Sequence, residues 1–502
     1  MRVRYCVSAP GASVPAPAAG DVCPDVPRED LQQETRVMPS TSAALPLSVP
    51  QYLFDDAWIA EARGVVRRWL PASVNPDPVL RPDKPWEGRA LVLYGSVLPD
   101  SASGYRMYYS CFRPGEGHAA MMLATSPDGL HWEKPELGLV EYQGRRGTNL
   151  MTPPERPFDS PSVIFDAADP QFPYKMACYQ SDPASPSPPE SGGMYAWRSH
   201  DGLRWQVIPG RRSRLGDRSS LYLDPHDGRY VFLSRDPHKF AVAGGRHISR
   251  TDSADFITWS EPELILARDM DDEPDVQFYG MPVFHRHGWY LGLLEYWDSA
   301  RDIIEVHLAV SRDGRRWQRP LPRRPFIAAT YDWNRQWSTC ANNGPVILRE
   351  QMVFHFGGRW VAHGWDTVRQ HGVIGIASLP LDRFCAIEGG VGGQFVTPPF
   401  VWPGGRLEVN ADTRESFDSH PAHCNGEIMV EALDADGAPL PEWSGSEAAV
   451  FRGNTHCRGG IWPAEVRWPG ERSLSSLTGR ALRLRFHLRH ARLFTVAAAA
   501  HG

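Results

Sequence analysis

Acidic residues crowd one short stretch of the sequence. Asp271, Asp272, Glu273 and Asp275 follow one another closely. Neighbouring carboxyl groups raise one another's pKa, which suits a proton donor that works near neutral pH. Glu273 and Asp275 are therefore candidate catalytic acids. The alternatives are a solvated loop and, because carboxylate oxygens bind calcium, a cation site.

Two further acids stand beside apolar or aromatic residues. Glu295 interrupts the apolar run LGLLEYW, where a carboxyl group must be paired or held in an unusual protonation state. Trp86 precedes Glu87, and an aromatic ring next to an acid suits a sugar, whose apolar face stacks while its hydroxyls form hydrogen bonds. The structural alternatives are a salt bridge from Glu295 to an arginine, packing of Trp86, and a pair between Glu87 and Arg89.

The elements that would position these residues form a repeat. A turn recurs as SPDGLHW, SHDGLRW, TDSADFITW and SRDGRRW, with a degenerate copy SLPLDRF at 378–384. Asp-Gly after an apolar strand is a strong hairpin signal. Each turn follows three strands, as in SPSVIFDAADPQFPYKMACYQ and GMYAWRS, and the Trp begins a fourth. Five units of four strands predict a five-bladed β-propeller.

The pattern changes after the fifth unit. From about Gly392 the strands alternate apolar and polar residues without the blade turn, as in ALRLRFHLRH. This predicts an all-β chain with three parts: a flexible Ala/Pro/Ser-rich tail at 1–50, the propeller at 51–391, and a C-terminal β-sandwich at 392–502.

Composition limits the function classes. The 502 residues include 45 Gly and 46 Pro, too many for a helical chain, and carry a formal net charge of −6. We expect neither a nucleic acid nor a membrane as partner. The eight Cys residues show no CxxC pair, which suggests neither a zinc site nor a disulfide framework. We expect no metal and no cofactor. Arg2 and Arg4 precede no continuous apolar segment, which makes a cytoplasmic protein the expectation.

These motifs carry a family resemblance. The segments LFDDAWIAEARGV, NPDPVLRPDKPWEG, FDSPSVIFDA, FYGMPVF and LRLRFHLRHARLF resemble bacterial members of the five-bladed propeller superfamily of glycoside hydrolase families 32, 43 and 62. Several members carry a C-terminal β-sandwich. The resemblance covers about 450 residues and implies carboxyl groups at the mouth of a central funnel. A glycosidase needs one such group to protonate the leaving oxygen and another to attack or to activate water.

The family motif transfers only in part. Asp159, which opens DSPSVIF, matches the family 43 position that tunes the pKa of a partner, and it could instead cap its strand. Where the family has a general base in blade 1, this chain has Tyr94. Where the family has its acid-bearing strand in blade 4, it has Tyr279. We include both tyrosines among the expected substrate-binding residues.

Blade openings supply further candidates. Arginine and asparagine at a funnel mouth can bind sugar hydroxyls or a substrate carboxylate, and second strands end at the same face. The expected substrate-binding set also includes Asp217, Arg218, Arg235, Asp236, Glu295, Asn342 and Asn343.

The sequence thus predicts a glycosidase that acts on furanosides or small oligosaccharides. Asp159 with an acid of blade 3 or blade 4 would be its working pair, with Glu87 as a further candidate. Two alternatives stay open: a propeller that binds carbohydrate without cleaving it, and a phosphorylase or transglycosidase in which Arg218 and Arg235 bind phosphate. The sequence does not determine the oligomeric state.

Overall fold

The chain is all-β, as its sequence predicts. In the computed structural model the regular elements of the described residues are β-strands and short 3-10 helices. None of these helices has the length and apolar character needed to cross a membrane. The described residues are 47–112, 119–151, 159–180, 192–237, 245–362, 371–414, 426–456 and 463–499.

The first three strands pair with strands far along the chain. They are β1 (Gln51–Tyr52), β2 (Glu61–Trp69) and β3 (Ser73–Val74). β1 and β2 join strands of the C-terminal sheet, whereas β3 becomes the outer strand of the last blade. The expected boundary at residue 51 is therefore wrong for β1 and β2, because hydrogen bonding places them with the C-terminal sheet.

Three separate four-stranded sheets come next, each antiparallel. The first follows a 3-10 helix at Pro85–Glu87. Its strands are β4 (Leu91–Val92), β5 (Val97–Asp100), β6 (Gly104–Phe112) and β7 (Ala119–Ser126). The second contains β8 (Asp159–Phe165), β9 (Tyr174–Gln180), β10 (Gly193–Ser199) and β11 (Gln206–Val207). The third contains β12 (Ser220–Leu223), β13 (Tyr230–Ser234), β14 (Ile248–Ser253) and β15 (Glu263–Leu266).

A nine-stranded sheet contains two further groups that only one parallel pair, Ile304 with Trp337, connects. We interpret the groups as two blades. One has β16 (Val276–Gly280), β17 (Val283–Arg286), β18 (Trp289–Asp298) and β19 (Ile303–Ser311). After a 3-10 helix at Asp332–Asn334, the other has β20 (Trp337–Cys340), β21 (Val346–Leu348), β22 (Gln351–Arg359) and β23 (Gly372–Pro380), with β3 at its edge.

Hydrophobic clusters fill the space between successive blades, which explains why strands such as β7 are buried on both faces. Each cluster mixes residues of two neighbours, and one joins the fifth blade to the first, so the described blades form a closed ring. Representative pairs, in order around the ring, are Tyr108 with Val163, Ala177 with Leu221, Leu233 with Val283, Leu291 with Phe354, and Ile374 with Leu91.

Short polar links join the inner strands of neighbouring blades. The Ser96 hydroxyl accepts a hydrogen bond from the Val163 amide at 3.0 Å, and the Ser162 hydroxyl accepts one from the Leu221 amide at 2.9 Å. Asn343 closes the ring, because its side chain accepts from the Val97 N–H at 2.6 Å and donates to the Val97 carbonyl at 2.5 Å.

The repeated turn is structural, as its sequence predicts. In the first copy the Asp128 carboxylate accepts hydrogen bonds from the amides of Leu130 at 2.9 Å and His131 at 2.8 Å. These amides hold the pKa of Asp128 well below its ordinary value. Gly129 adopts a φ of 75°, which only glycine takes without strain. The degenerate fifth copy differs, since its Asp382 is buried and binds Tyr52, Arg286 and His287.

The C-terminal strands form one sheet of ten strands that includes β1 and β2. Its strands are β24 (Cys385–Val396), β25 (Phe400–Val401), β26 (Arg406–Asp412), β27 (Glu427–Asp434), β28 (Ala449–Phe451), β29 (Ala464–Glu465), β30 (Ala481–Arg489) and β31 (Ala491–Ala499). The 3-10 helices here are Pro441–Trp443, Gly445–Glu447, Pro469–Glu471 and Leu474–Leu477.

β24 belongs to both halves of this sheet. Its residues 387–389 pair with β31, and its residues 393–396 pair with β30, with glycines between the two stretches. Both halves share one hydrophobic core, so the sheet folds over itself into two layers. The expected boundary at 391–392 is wrong, since it falls inside this continuous strand. Residues 1–46 of the tail expected at 1–50 lie outside the described residues. Residues 43–502 form one compact unit.

Replacing Asn343 by alanine should lower the free energy of unfolding by about 1–3 kcal/mol, because the change leaves the N–H and C=O of Val97 without partners. Chemical denaturation followed by tryptophan fluorescence measures this. As a control, Gln171→Ala removes an exposed amide of the second blade and should change stability by less than about 0.5 kcal/mol. An Asn343→Ala protein of unaltered stability would contradict the proposed closure.

Candidate active site

A buried ion pair lies at the centre of the ring. Arg218, immediately before β12, donates from Nε to Glu295 Oε2 at 2.6 Å, and its Nη2 donates to Glu295 Oε1. Nη1 donates to Asn342 Oδ1 at 3.0 Å, and Nη2 also donates to the Cys340 carbonyl at 2.7 Å. Burial opposes the charge of Arg218, yet the Glu295 carboxylate raises its pKa above the ordinary value.

This arrangement corrects three expected substrate contacts. Arg218, Glu295 and Asn342 are all buried and bind one another. Asn342 further donates to the Tyr94 carbonyl. Asn343 joins the first and fifth blades, as described above. The structure therefore gives these residues structural roles. Glu295 forms a salt bridge with Arg218, which is the structural alternative that its sequence left open.

Asp159 and Asp217 lie beside this ion pair. Asp159 opens β8 and is only partly accessible, and its Oδ1 accepts a hydrogen bond from the Ser160 hydroxyl at 3.1 Å. Burial and the negative charge of Asp217 raise the pKa of Asp159 to about 6, while Ser160 and Arg359 act in the opposite direction. Asp159 can therefore hold or release a proton close to neutral pH.

Asp217 is held by an arginine of the adjacent strand end. Arg235 Nε donates to Asp217 Oδ1 at 2.6 Å, and the two side chains remain 24% and 27% exposed. Arg235 follows directly after β13, so the expectation that second strands end at this face is met here. The pair fixes one carboxylate oxygen of Asp217 and leaves the group open to solvent.

Aromatic side chains border these carboxyl groups. The Tyr94 and Tyr279 hydroxyls lie 3.2 Å apart. The Tyr279 ring packs edge-on against Trp337, with centroids 5.0 Å apart. Burial raises the pKa of both tyrosines; the charge of Asp159 contributes to both rises, and that of Asp217 to the rise of Tyr279. Both hydroxyls therefore stay protonated and can donate or accept hydrogen bonds.

Five residues of the site were not among those predicted: Tyr179, Arg246, Arg359 and the tryptophans Trp297 and Trp337. Tyr179, at the end of β9, is close enough to Asp217 and Arg235 for their charges to act on its pKa, which burial raises. Arg359 ends β22 and stacks on Trp337 at 4.6 Å. Arg246 lies over the rings of Tyr279 and Trp297. The rule for second strands, applied to the fifth blade, would have identified Arg359; no sequence signal marks Arg246.

Glu87 and Trp86 have structural roles instead of the expected site roles. The Glu87 carboxylate is fully buried and accepts hydrogen bonds from the Asp83 and Lys84 amides, the Tyr109 hydroxyl and the Lys134 ammonium. Trp86 packs in the core of the first blade, and its Nε1 donates to Asn149 at 2.7 Å. The pair predicted between Glu87 and Arg89 is replaced by one with Lys134.

The acidic loop before β16 is engaged by arginines. Asp272 binds Arg319, and Asp269 binds Arg323 at 2.8 Å. Glu273 and Asp275 are exposed, so the expectation that they are crowded proton donors is not met. Asp236, another expected substrate ligand, is buried against Arg214 at 3.1 Å. In the described part of the chain, no group of three or more His, Cys, Asp or Glu side chains could hold a metal ion.

The central site therefore consists of Asp159 and Asp217, the arginines Arg235, Arg246 and Arg359, and aromatic walls. We call this set, with Tyr94, Tyr179, Tyr279, Trp297 and Trp337, the central cluster. Its two carboxyl groups differ in their surroundings. Burial and the negative charge of Asp217 raise the pKa of Asp159, whereas Asp217 is paired with Arg235. Such a difference separates an acid from a base.

Comparison with known proteins finds only distant matches. No protein-family model matches the chain, and no curated protein matches it in sequence. Solved structures with a similar fold include a glycosyl hydrolase from Bacteroides ovatus, with 14% identity, 66% of this chain and 97% of that chain covered, and a TM-score of 0.44. An α-L-arabinofuranosidase from Podospora anserina in complex with cellotriose has 12% identity, coverage of 62% and 99%, and a TM-score of 0.43.

A β-1,3-galactosidase of glycoside hydrolase family 43 is similar over a larger part of this chain. It shares 13% identity and covers 75% of this chain and 71% of that chain, with a TM-score of 0.43. Glycoside hydrolases are thus among the structural neighbours of this all-β protein. The likeness is too distant to assign an activity.

Glu295→Gln should lower the free energy of unfolding by about 3–5 kcal/mol, because the change leaves the Arg218 charge buried and unpaired. A double-mutant cycle with Arg218→Met and Glu295→Leu tests the pair directly. The double variant should lose less stability than the sum of the losses of the two single variants, because each single change leaves the partner's charge buried and unpaired. Strictly additive losses would contradict the ion pair.

Asp159→Asn should stabilise the protein above about pH 6. The unfolded chain releases this proton near the ordinary pKa of 3.8, whereas the folded chain keeps it until about pH 6. Folded stability therefore falls as pH rises through this window and then levels off, by roughly 2–3 kcal/mol in all. The asparagine variant lacks this loss. Thermal denaturation of both proteins from pH 4 to pH 8 measures the difference.

The control for this profile is Asp255→Asn. Backbone amides lower the pKa of the exposed Asp255 to about 2, so its contribution is present above about pH 4 and is lost at lower pH. Its replacement should destabilise the protein in the range where Asp159→Asn stabilises it. A stability difference between Asp159→Asn and the unaltered protein that does not change with pH would contradict the raised pKa of Asp159.

Proposed function

We propose that the protein is a glycoside hydrolase whose working carboxyl groups are Asp159 and Asp217. The observation that carries this proposal is the Asp159 carboxyl, whose pKa burial and the neighbouring Asp217 raise to about 6. Glycoside hydrolysis needs two carboxyl groups with different protonation states on either side of the scissile bond. The FDSPSVIFDA motif resembles family 43 and supports a place for Asp159 in the active site. The matching position of that family tunes the pKa of a partner, so the proton-donor role is argued from the surroundings of Asp159 in this chain.

The surroundings of the two groups suggest their roles. Asp159 retains its proton in mildly acidic solution and can donate it to the leaving oxygen. Asp217, bound by Arg235 at 2.6 Å, can act on the other side of the bond, either on the sugar or on a water molecule.

The aromatic part of the central cluster suits a sugar. The hydroxyls of Tyr94 and Tyr279 lie 3.2 Å apart. Trp337, which packs edge-on against Tyr279, is fully buried, whereas Tyr179 and Trp297 are the partly accessible aromatic side chains of the cluster. Sugars present apolar faces for stacking and hydroxyls for hydrogen bonds. We propose a furanoside or small oligosaccharide as substrate, because the site lies at the centre of a ring of blades.

Asp159→Asn and Asp217→Asn should each lower kcat/KM by about 10³-fold or more, because a general acid alone contributes about 10²–10⁴-fold. Release of reducing sugar from a panel of arabinofuranosides, galactosides and xylo-oligosaccharides measures this. For the unaltered protein, kcat/KM should fall as pH rises through about 6, as Asp159 loses its proton. Glu273→Gln and Asp275→Asn, which change exposed acids, should keep full activity.

Other outcomes would contradict hydrolysis. Sugar binding with no released product on long incubation would identify a carbohydrate-binding propeller. Product formation that requires inorganic phosphate would identify a phosphorylase. Arg218 could not then serve as the phosphate ligand considered from the sequence, since Glu295, Asn342 and Cys340 already occupy its donors.

A further inference from the structure

Arg246 is held firmly against one wall of the central cluster. It precedes β14, and its guanidinium lies 4.8 Å from the centroid of Tyr279 and 5.2 Å from that of Trp297. Its backbone N–H donates to Gln277 Oε1 at 3.2 Å, and its carbonyl accepts from the Phe278 amide at 3.1 Å. Arg246, which belongs to the third blade, is thus bound to β16, the first strand of the fourth blade.

One donor of Arg246 has no acceptor. Its Nη1 is buried and forms no hydrogen bond among the described residues, although the residue as a whole is partly accessible. Leaving a buried charged donor unsatisfied is costly. Arg218 and Arg235 differ, because Arg218 binds Glu295 and Arg235 binds Asp217.

The charges of the central cluster favour an anion. Its neighbouring carboxylates are engaged: Glu295 binds Arg218, and Asp217 binds Arg235. Arg246 lowers the pKa of Tyr279, and Arg359 lowers those of Tyr94 and Asp159, against the larger effect of burial. Asp159, with its pKa near 6, brings less than a full negative charge in mildly acidic solution.

We propose that Arg246 binds an oxyanion, which is either the carboxylate of an acidic sugar or inorganic phosphate. This inference deepens the proposed function, on which it rests for the location of the substrate. An oxyanion at Arg246 would accept a charge-assisted hydrogen bond from the guanidinium, which the aromatic rings of Tyr279 and Trp297 hold in place. Arg246 is then the residue that selects acidic over neutral ligands.

The test compares ligands that differ only in a carboxylate. Calorimetric titration with glucuronic acid against glucose, and with galacturonic acid against galactose, isolates the charge. Inorganic phosphate is titrated separately in a phosphate-free buffer. None of these probes contains a glycosidic bond, so binding is measured independently of hydrolysis. We expect at least one anion to bind about tenfold or more tightly than the neutral sugars, with an affinity that falls as salt increases.

Arg246→Gln should abolish this preference, whereas Arg246→Lys should retain part of it because the charge remains. The matched control is Arg198→Gln, which removes another arginine stacked on a ring, that of Phe172 at 4.1 Å, and should leave the preference unchanged. Thermal denaturation verifies that each variant is folded.

The outcomes separate this inference from the proposed function. Preference for a uronic acid identifies an acidic sugar as the source of the oxyanion, and preference for phosphate alone identifies the inorganic ion. If no anion binds in an Arg246-dependent way, the inference is wrong, even where the hydrolysis of neutral glycosides is observed. Arg246-dependent binding without any hydrolysis would leave the oxyanion site standing and overturn the proposed activity.

Discussion

The buried ion pair between Arg218 and Glu295 is the interaction on which the ring of blades depends. Arg218 belongs to the third blade and contacts every other one: its amide donates to the Ser160 hydroxyl at 2.9 Å, its guanidinium binds Glu295 and Asn342, and it lies 4.8 Å from the Tyr94 ring. Burying two charges is favourable only when all their hydrogen bonds are made. The pair therefore requires all five blades to be in register at once.

The same constraint positions the candidate site. Asp159 is the neighbour of Ser160 in the chain, and Asp217 is the neighbour of Arg218, so each carboxyl group is one residue away from an anchor of the central network. Tyr94 receives both the Arg218 guanidinium against its ring and the Asn342 side chain on its carbonyl. Ser160 and Arg218 are buried in the network that joins the blades, whereas their neighbours Asp159 and Asp217 stay partly accessible.

Much of this architecture follows from local patterns. The Asp-Gly turns, the alternation of Leu482 to Leu488 in β30 and the position of Asp159 at the start of a strand were all readable, because each depends on residues close in sequence. What the sequence did not reveal depends on pairing over long distances: the partner that Lys134 provides for Glu87, the arginines that neutralise the loop before β16, and the stacking of Arg246 on Tyr279. An isolated acid has the same appearance in a sequence whether it is catalytic or capped.

The N-terminal strands impose an order on folding. β1, β2 and β3 precede all five blades in the chain, yet they pair with β31, β24 and β23, which come at the end of the last blade or after it. Contacts between residues this distant along a chain slow folding, because the entropy of closing a long loop is lost before the contacts can stabilise the structure. The early blades can pack while synthesis continues, whereas the fifth blade waits for β23 (Gly372–Pro380) and the C-terminal sheet waits for β31 (Ala491–Ala499). The C-terminal sheet, and not any single blade, is then the part of this protein whose first strands wait longest for their partners.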